Sequence, residues 1–315
     1  MCVTGAPSHR GTGSAAADGI AVPLLTGTLA LQVSAGLDHS CAVLDNGQAQ
    51  CWGNGTNGRM GYDQTEVSFG ASVAANLGGA VGTLGGASVL AVSCGTQVTC
   101  LLLQGGTIQC FGFGGDGRTG HGNTVDTGVS PATPSTQHGA VGSVGGEAAI
   151  HLATGSAHAC IVLVSGGVQC LGNGADGRLG YGNTDSIGND GAASAGGLVP
   201  RFGGLPAVSG LVSCWGTGLN GRLGLDSTAS VGAAGGPSDH FVRLPVQAAI
   251  QAGTATAGEQ ITCACSCLTA VGSALEQEIK GDLGRLEHRI GDGTTATTRH
   301  LGAPCPWWPR PWGSD

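Results

Sequence analysis

The sequence predicts an all-β protein built from repeats, and three observations carry that prediction. The stretch 41–65, CAVLDNGQAQCWGNGTNGRMGYDQT, returns at 100–124 as CLLLQGGTIQCFGFGGDGRTGHGNT and at 160–184 as CIVLVSGGVQCLGNGADGRLGYGNT. Cys51 and Cys110 are 59 residues apart and Cys110 and Cys170 are 60 apart, a period just above that of solenoid and propeller repeats. The composition, with 62 glycines and 4% aromatic residues in 315, suits tight turns and close-packed strands better than helices.

Each copy reads as a hairpin. Cys41 and Cys51 flank Asp45-Asn46-Gly47, and apolar residues precede the turn. A three-residue loop closes such a hairpin when its last residue takes the left-handed conformation, which glycine adopts without steric cost. Gly47, Gly106 and Gly166 hold that place. Folding about them sets Cys41 opposite Cys51, Cys100 opposite Cys110 and Cys160 opposite Cys170, within reach of disulfide formation. A large apolar residue follows each second cysteine: Trp52, Phe111 or Leu171, with Trp215 in a fourth copy. A glycine-rich turn then carries Arg59, Arg118, Arg178 and Arg222.

The repeats span 31–89, 90–149 and 150–205, with 1–30 reading as the back half of an earlier one. There Val22-Pro23-Leu24-Leu25 resembles the link into the next strand. Segments 66–89, 125–149 and 185–200 vary between copies and are expected to hold a poorly defined outer strand and exposed loops. Partner specificity is expected to lie in these non-repeated segments, so replacing 125–149 by a short linker should spare the fold but weaken any partner. The fourth repeat, 206–250, is truncated: Ser209 to Gly216 matches the second half of the hairpin, but Gly204 stands where the partner of Cys214 belongs. A fifth, 251–302, is degenerate. Residues 272–286 are the part of it most compatible with helix, and Cys263-x-Cys265-x-Cys267 alternates as a strand does. Residues 1–302 thus read as one domain, and 303–315, with four prolines, as a disordered tail.

The string of Ser34-Ala35-Gly36, His39-Ser40-Cys41-Ala42-Val43-Leu44, Gly47, Cys51-Trp52-Gly53 and Gly58-Arg59-Met60-Gly61 resembles the repeat of the regulator of chromosome condensation family. That resemblance implies a β-propeller of four-stranded antiparallel blades, seven in the family. About five repeats of roughly 60 residues are legible here, so the ring is expected to be incomplete and the chain a fragment or a decaying copy. The two-cysteine form is similar to that of secreted or microbial members.

The net charge of -8 argues against a nucleic-acid partner held by a basic face. No stretch approaches the length of a membrane span. Cysteine pairs favour an extracellular or secretory setting; the opening MCVTGAPSHRGTG, with no basic region before an apolar run, favours a cytoplasmic one. A metal reading would join His39 and His158 to the hairpin cysteines, but Val98 takes that place in the second copy. The imidazoles are expected instead to hydrogen-bond a neighbouring blade. The repeated arginines are expected to bridge to carbonyls of the next blade rather than to bind anions. No nucleophile elbow, phosphate loop, paired catalytic carboxylates or dinucleotide fingerprint stands out, so no catalytic residue, cofactor or metal is assigned. The resemblance then implies a non-enzymatic scaffold that binds a protein partner, the founding activity of the family being guanine-nucleotide exchange on a small nuclear GTPase. Two other readings are a non-functional remnant of a secreted, disulfide-bonded propeller and, ranked lower, a propeller enzyme with a site in the central channel.

Overall fold

A computed structural model describes residues 21–65, 67–71, 73–200, 211–223, 226–233, 255–257 and 261–266. All fall in the first of two compact units, Met1–Leu268; the second, Thr269–Asp315, lies outside the described residues, and with it the helix-compatible segment and the proline-rich tail.

Among the described residues there is no α-helix, and the strands form four antiparallel sheets of three. The first blade holds β1 (Ala30–Ala35), β2 (His39–Leu44) and β3 (Ala49–Gly53). The second holds β4 (Val89–Cys94), β5 (Val98–Leu103) and β6 (Ile108–Gly112). The third holds β7 (Ala149–Thr154), β8 (His158–Leu163) and β9 (Val168–Gly172). The place of a fourth strand is held in each blade by one antiparallel bridge: Gly53 with Phe69, Gly112 with Thr127, Gly172 with Ile187 and Gly216 with Val231. The hairpins turn where the glycines allow, with Gly47, Gly106 and Gly166 at φ of 79°, 80° and 77°.

The fourth blade is assembled from two distant stretches of the chain. It pairs β10 (Leu211–Gly216) with β12 (Ile261–Ser266), and β12 with β11 (Ala255–Ala257). Residues 255–266 were assigned above to a fifth repeat; here they supply the strands that the truncated fourth lacks. The register explains why. Cys214 faces Cys263 and Gly216 faces Ile261, as Cys51 faces Cys41 and Gly53 faces His39. Thr256 faces Cys263 as Ser34 faces Cys41. The sequence ATAGEQITCAC at 255–265 is a first half-repeat, and an unpaired β10 edge is what a first half-repeat can satisfy. Cys214 is disulfide-bonded.

The core lies between blades rather than within them. The hairpin of the first blade packs with Val89, Val92, Leu101 and Phe111 of the second. The second packs in the same way on Leu152, Ile161 and Leu171 of the third, and the third on Trp215, Leu223 and Val231. Middle strands β2, β5 and β8 are therefore buried along their whole length. The segment 22–25 packs on the first blade as the links at 81–84 and 141–144 pack on the next two. Gln50, Gln109 and Gln169 each clasp their link, accepting from Leu25 N, Leu84 N and Val144 N and donating to Pro23 O, Gly82 O and Gly142 O. This matches the reading of Val22 to Leu25 as the end of a preceding repeat's link.

The variable segments are less separable than expected. Thr127, Ser135 and Val141 are buried, and Gln109 donates to Ser135 O. Removing 125–149 would strip the second blade of its outer bridge and some of its core, so it is no exchangeable loop.

Candidate functional site

The hairpin cysteines form the three expected bridges, Cys41–Cys51, Cys100–Cys110 and Cys160–Cys170, with Cα separations of 4.0, 4.1 and 4.1 Å. The large residue after the second cysteine fills a socket in the preceding blade. A Cβ built on Gly61 would meet Phe111 at 2.8 Å, and one on Gly180 would meet Trp215 Nε1 at 2.8 Å. Trp215 Nε1 donates to Arg178 O at 3.0 Å. Trp52 is buried with its indole N–H unpartnered.

The arginines staple their own turns. Arg59, Arg118, Arg178 and Arg222 each donate Nε to the carbonyl three residues back, Thr56 O, Gly115 O, Ala175 O and Leu219 O. Arg118 and Arg178 pair with Asp116 and Asp176 inside the same turn, at 2.7 and 3.0 Å. Arg59 shows the expected reach as well, Nη1 donating to Thr96 O of the next blade at 3.2 Å. Between blades it is the arginine's own carbonyl that works: Thr99 donates to Arg59 O and Thr262 to Arg178 O.

Those two threonines complete a relay. His39 Nε2 lies 2.7 Å from Thr99 Oγ1, and His158 Nε2 lies 2.8 Å from Thr262 Oγ1. The threonine hydroxyl is committed to the arginine carbonyl, so it accepts from an Nε2–H. Burial, with the Arg59 charge, pulls the His39 imidazole down to about 3 and holds it neutral. His39, Cys41 and Cys94 do cluster within 4.8 Å. Yet Cys41 is in a disulfide, and burial pushes the Cys94 thiol up to about 12. The cluster offers no ready thiolate, and the structural reading of His39 holds.

A different set of residues meets solvent. The pairing of β1 with β2 shifts register between Ala30 and Gln32, and the same shift falls between Val89 and Ala91 and between Ala149 and His151. The residues skipped are Leu31, Leu90 and Ile150, which are 60%, 54% and 47% exposed. A bulge turns its extra side chain away from the packed face. First strands of successive blades touch, Cys94 N donating to Ser34 Oγ and Thr154 N to Ser93 Oγ, so the three aliphatic side chains recur along one edge. The hairpin loops share that edge: Asp45 N donates to Leu29 O and Val164 N to Ala148 O, and Leu29 and Val164 are exposed as well. Sequence reading passed over these positions; their signal is an aliphatic residue at the second place of the first strand in the first three blades.

Blades of this kind define a β-propeller protein. The profile described as Regulator of chromosome condensation (RCC1) repeat matches residues 31–59. Relatives include the ultraviolet-B receptor UVR8 of Arabidopsis thaliana, 30% identical over 156 residues, 49% of this chain and 32% of that protein. The Protein RCC2 homolog of Danio rerio is 28% identical over 147 residues, 47% of this chain and 26% of that one. The chain spans about a third or less of the length of these curated relatives. Among solved structures, Prp20p of Saccharomyces cerevisiae, described with its binding to Gsp1p and histones, matches with a TM-score of 0.50 at 17% identity, over 83% of this chain and 61% of that one. Human WBSCR16 matches with a TM-score of 0.55 at 16% identity, over 77% and 59%. These structural likenesses bear on the fold alone. The chain carries a regulator of chromosome condensation repeat at residues 31–59 and is similar over about half its length to relatives built from that repeat.

Proposed function

We propose that this chain is a non-enzymatic scaffold that binds a protein partner through the bulged edge of its blades. The observation that carries the reading is the recurrence of Leu31, Leu90 and Ile150 as exposed aliphatic residues at the bulge of three successive blades. Exposed apolar side chains recurring on a rigid frame, rimmed by polar loop residues such as Asp45 and Ser165, suit a protein interface. The repeated glycines, arginines and cysteines are occupied in turns, staples and bridges, which leaves recognition to other positions. Prp20p binds Gsp1p and histones, and those are the first partners to try.

The test is direct binding of the purified chain to Gsp1p and to histones, with release of a fluorescent guanine nucleotide from the GTPase as a second readout. A triple variant, Leu31→Ser, Leu90→Ser and Ile150→Ser, should fold as the wild type and lose at least tenfold in affinity. A triple variant that binds as well as the wild type would refute the assignment of the face. Nucleotide release without loss in that variant would place exchange elsewhere on the molecule.

A further inference from the structure

One position in the repeat exchanges a phenol for an imidazole, and a second position changes with it. In the first and third blades Tyr62 and Tyr181 bond their own hairpins: each hydroxyl accepts from the second cysteine's N–H, Cys51 N and Cys170 N, at 2.8 Å. Each ring lies against a glycine. A Cβ on Gly78 would meet Tyr62 Cε2 at 2.8 Å, and one on Gly196 would meet Tyr181 Cζ at 3.2 Å, so a side chain there would crowd the ring. In the second blade the tyrosine place holds His121 and the glycine place holds His138. The smaller ring leaves the volume that the second imidazole fills, and the two ring centres are 5.1 Å apart, tilted by 35°.

The hydrogen bonds fix which atoms are free. His121 Nε2 lies 3.0 Å from Cys110 O, and a carbonyl only accepts, so Nε2 carries the proton and Nδ1 keeps its lone pair. Nδ1 of His121 and Nε2 of His138 are both buried with no hydrogen-bond partner. A bare, buried ring nitrogen is costly unless something takes up its lone pair. We propose that His121 and His138 form a transition-metal site for a borderline divalent ion such as Zn2+ or Ni2+, with water completing the coordination.

Two features of the pair suit that chemistry. A ligating histidine commonly donates its other N–H to a backbone carbonyl, which holds the ring and raises its basicity; His121 already does so on Cys110 O. A tetrahedral ion held at about 2 Å from one nitrogen of each ring places the ring centres about 5 Å apart, the separation found here.

The experiment compares Zn2+ binding to the full chain and to the double variant His121→Tyr, His138→Gly by isothermal calorimetry. That variant restores the pair found in the first and third blades, so the fold has a precedent for it, and both proteins carry the same cysteines. The wild type should bind one more Zn2+ than the variant and gain thermal stability with Zn2+ where the variant does not. His138→Asn, which nearly keeps the volume, should weaken that site at least tenfold. Equal stoichiometry and affinity in wild type and double variant, or full affinity in His138→Asn, would overturn the proposal and leave the pair a volume exchange only.

Discussion

His39 of the first blade donates Nε2–H to Thr99 Oγ1 of the second at 2.7 Å, and Thr99 donates its own hydroxyl hydrogen bond to Arg59 O at 2.7 Å. The pair is coupled in the sequence as well as in space. Where the next blade has Val98 in place of the histidine, the blade after has Ala159 in place of the threonine. At the third interface the pair returns as His158 and Thr262.

That coupling should be measurable. His39→Val strands a buried hydroxyl acceptor, and Thr99→Ala strands a buried N–H and the Arg59 carbonyl; each should cost about 1–3 kcal/mol. The double variant recreates the Val98 and Ala159 combination and should cost less than the two together, by about 1 kcal/mol or more. Urea unfolding of the four proteins gives the cycle, and strict additivity would refute the relay.

Acid should weaken the fold through the same histidine. His39 titrates near 3 when folded, against an ordinary 6.5, so the unfolded chain binds the extra proton. Its contribution is complete above about pH 6.5 and is lost as pH falls toward 3. Between pH 6.5 and 4.5 the loss is about 2 kcal/mol from this residue. Stability curves of the wild type and His39→Val across that range check it, and the variant should show the flatter decline.

Glycines at blade contacts should be unequal to glycines in open loops. A Cβ on Gly58 would fall 2.3 Å from Thr127 O in the next blade, whereas one on Gly85 meets nothing, although both residues have positive φ, 75° and 62°. Gly85→Ala should cost about 1 kcal/mol, from the left-handed backbone alone. Gly58→Ala must also push neighbouring blades apart and should cost at least about 2 kcal/mol more. Thermal unfolding separates the two.

Cys94 is a free, buried cysteine whose thiol is pushed up to about 12. It should resist alkylation at pH 8 until the chain unfolds, while peptide mapping recovers Cys41–Cys51, Cys100–Cys110 and Cys160–Cys170 intact. Each bridge closes a separation of 10 residues, so losing one should cost at most about 3 kcal/mol.

Much of the blade was legible because its signals are local. Gly47 marks the turn, the turn sets Cys41 against Cys51, and a period near 60 repeats both. What escaped reading depends on neighbours far along the chain. The pairing of Cys214 with Cys263 joins strands that no local spacing connects. The role of the Arg59 and Arg178 carbonyls is invisible in side-chain identity. The bulges at Leu31, Leu90 and Ile150 change exposure without changing residue type, so they look like ordinary strand residues.

The central claim is that the frame residues hold the blades and the bulged edge meets the partner. Hydrogen-exchange mass spectrometry of the chain with and without a bound partner tests it most directly. Protection should concentrate at 29–31, 88–91, 148–151 and the loops at 45–47, 104–106 and 164–166. The turns carrying Arg59, Arg118 and Arg178 should be unchanged. Protection confined to those arginine turns, with the bulged edge exchanging as in the free chain, would contradict it.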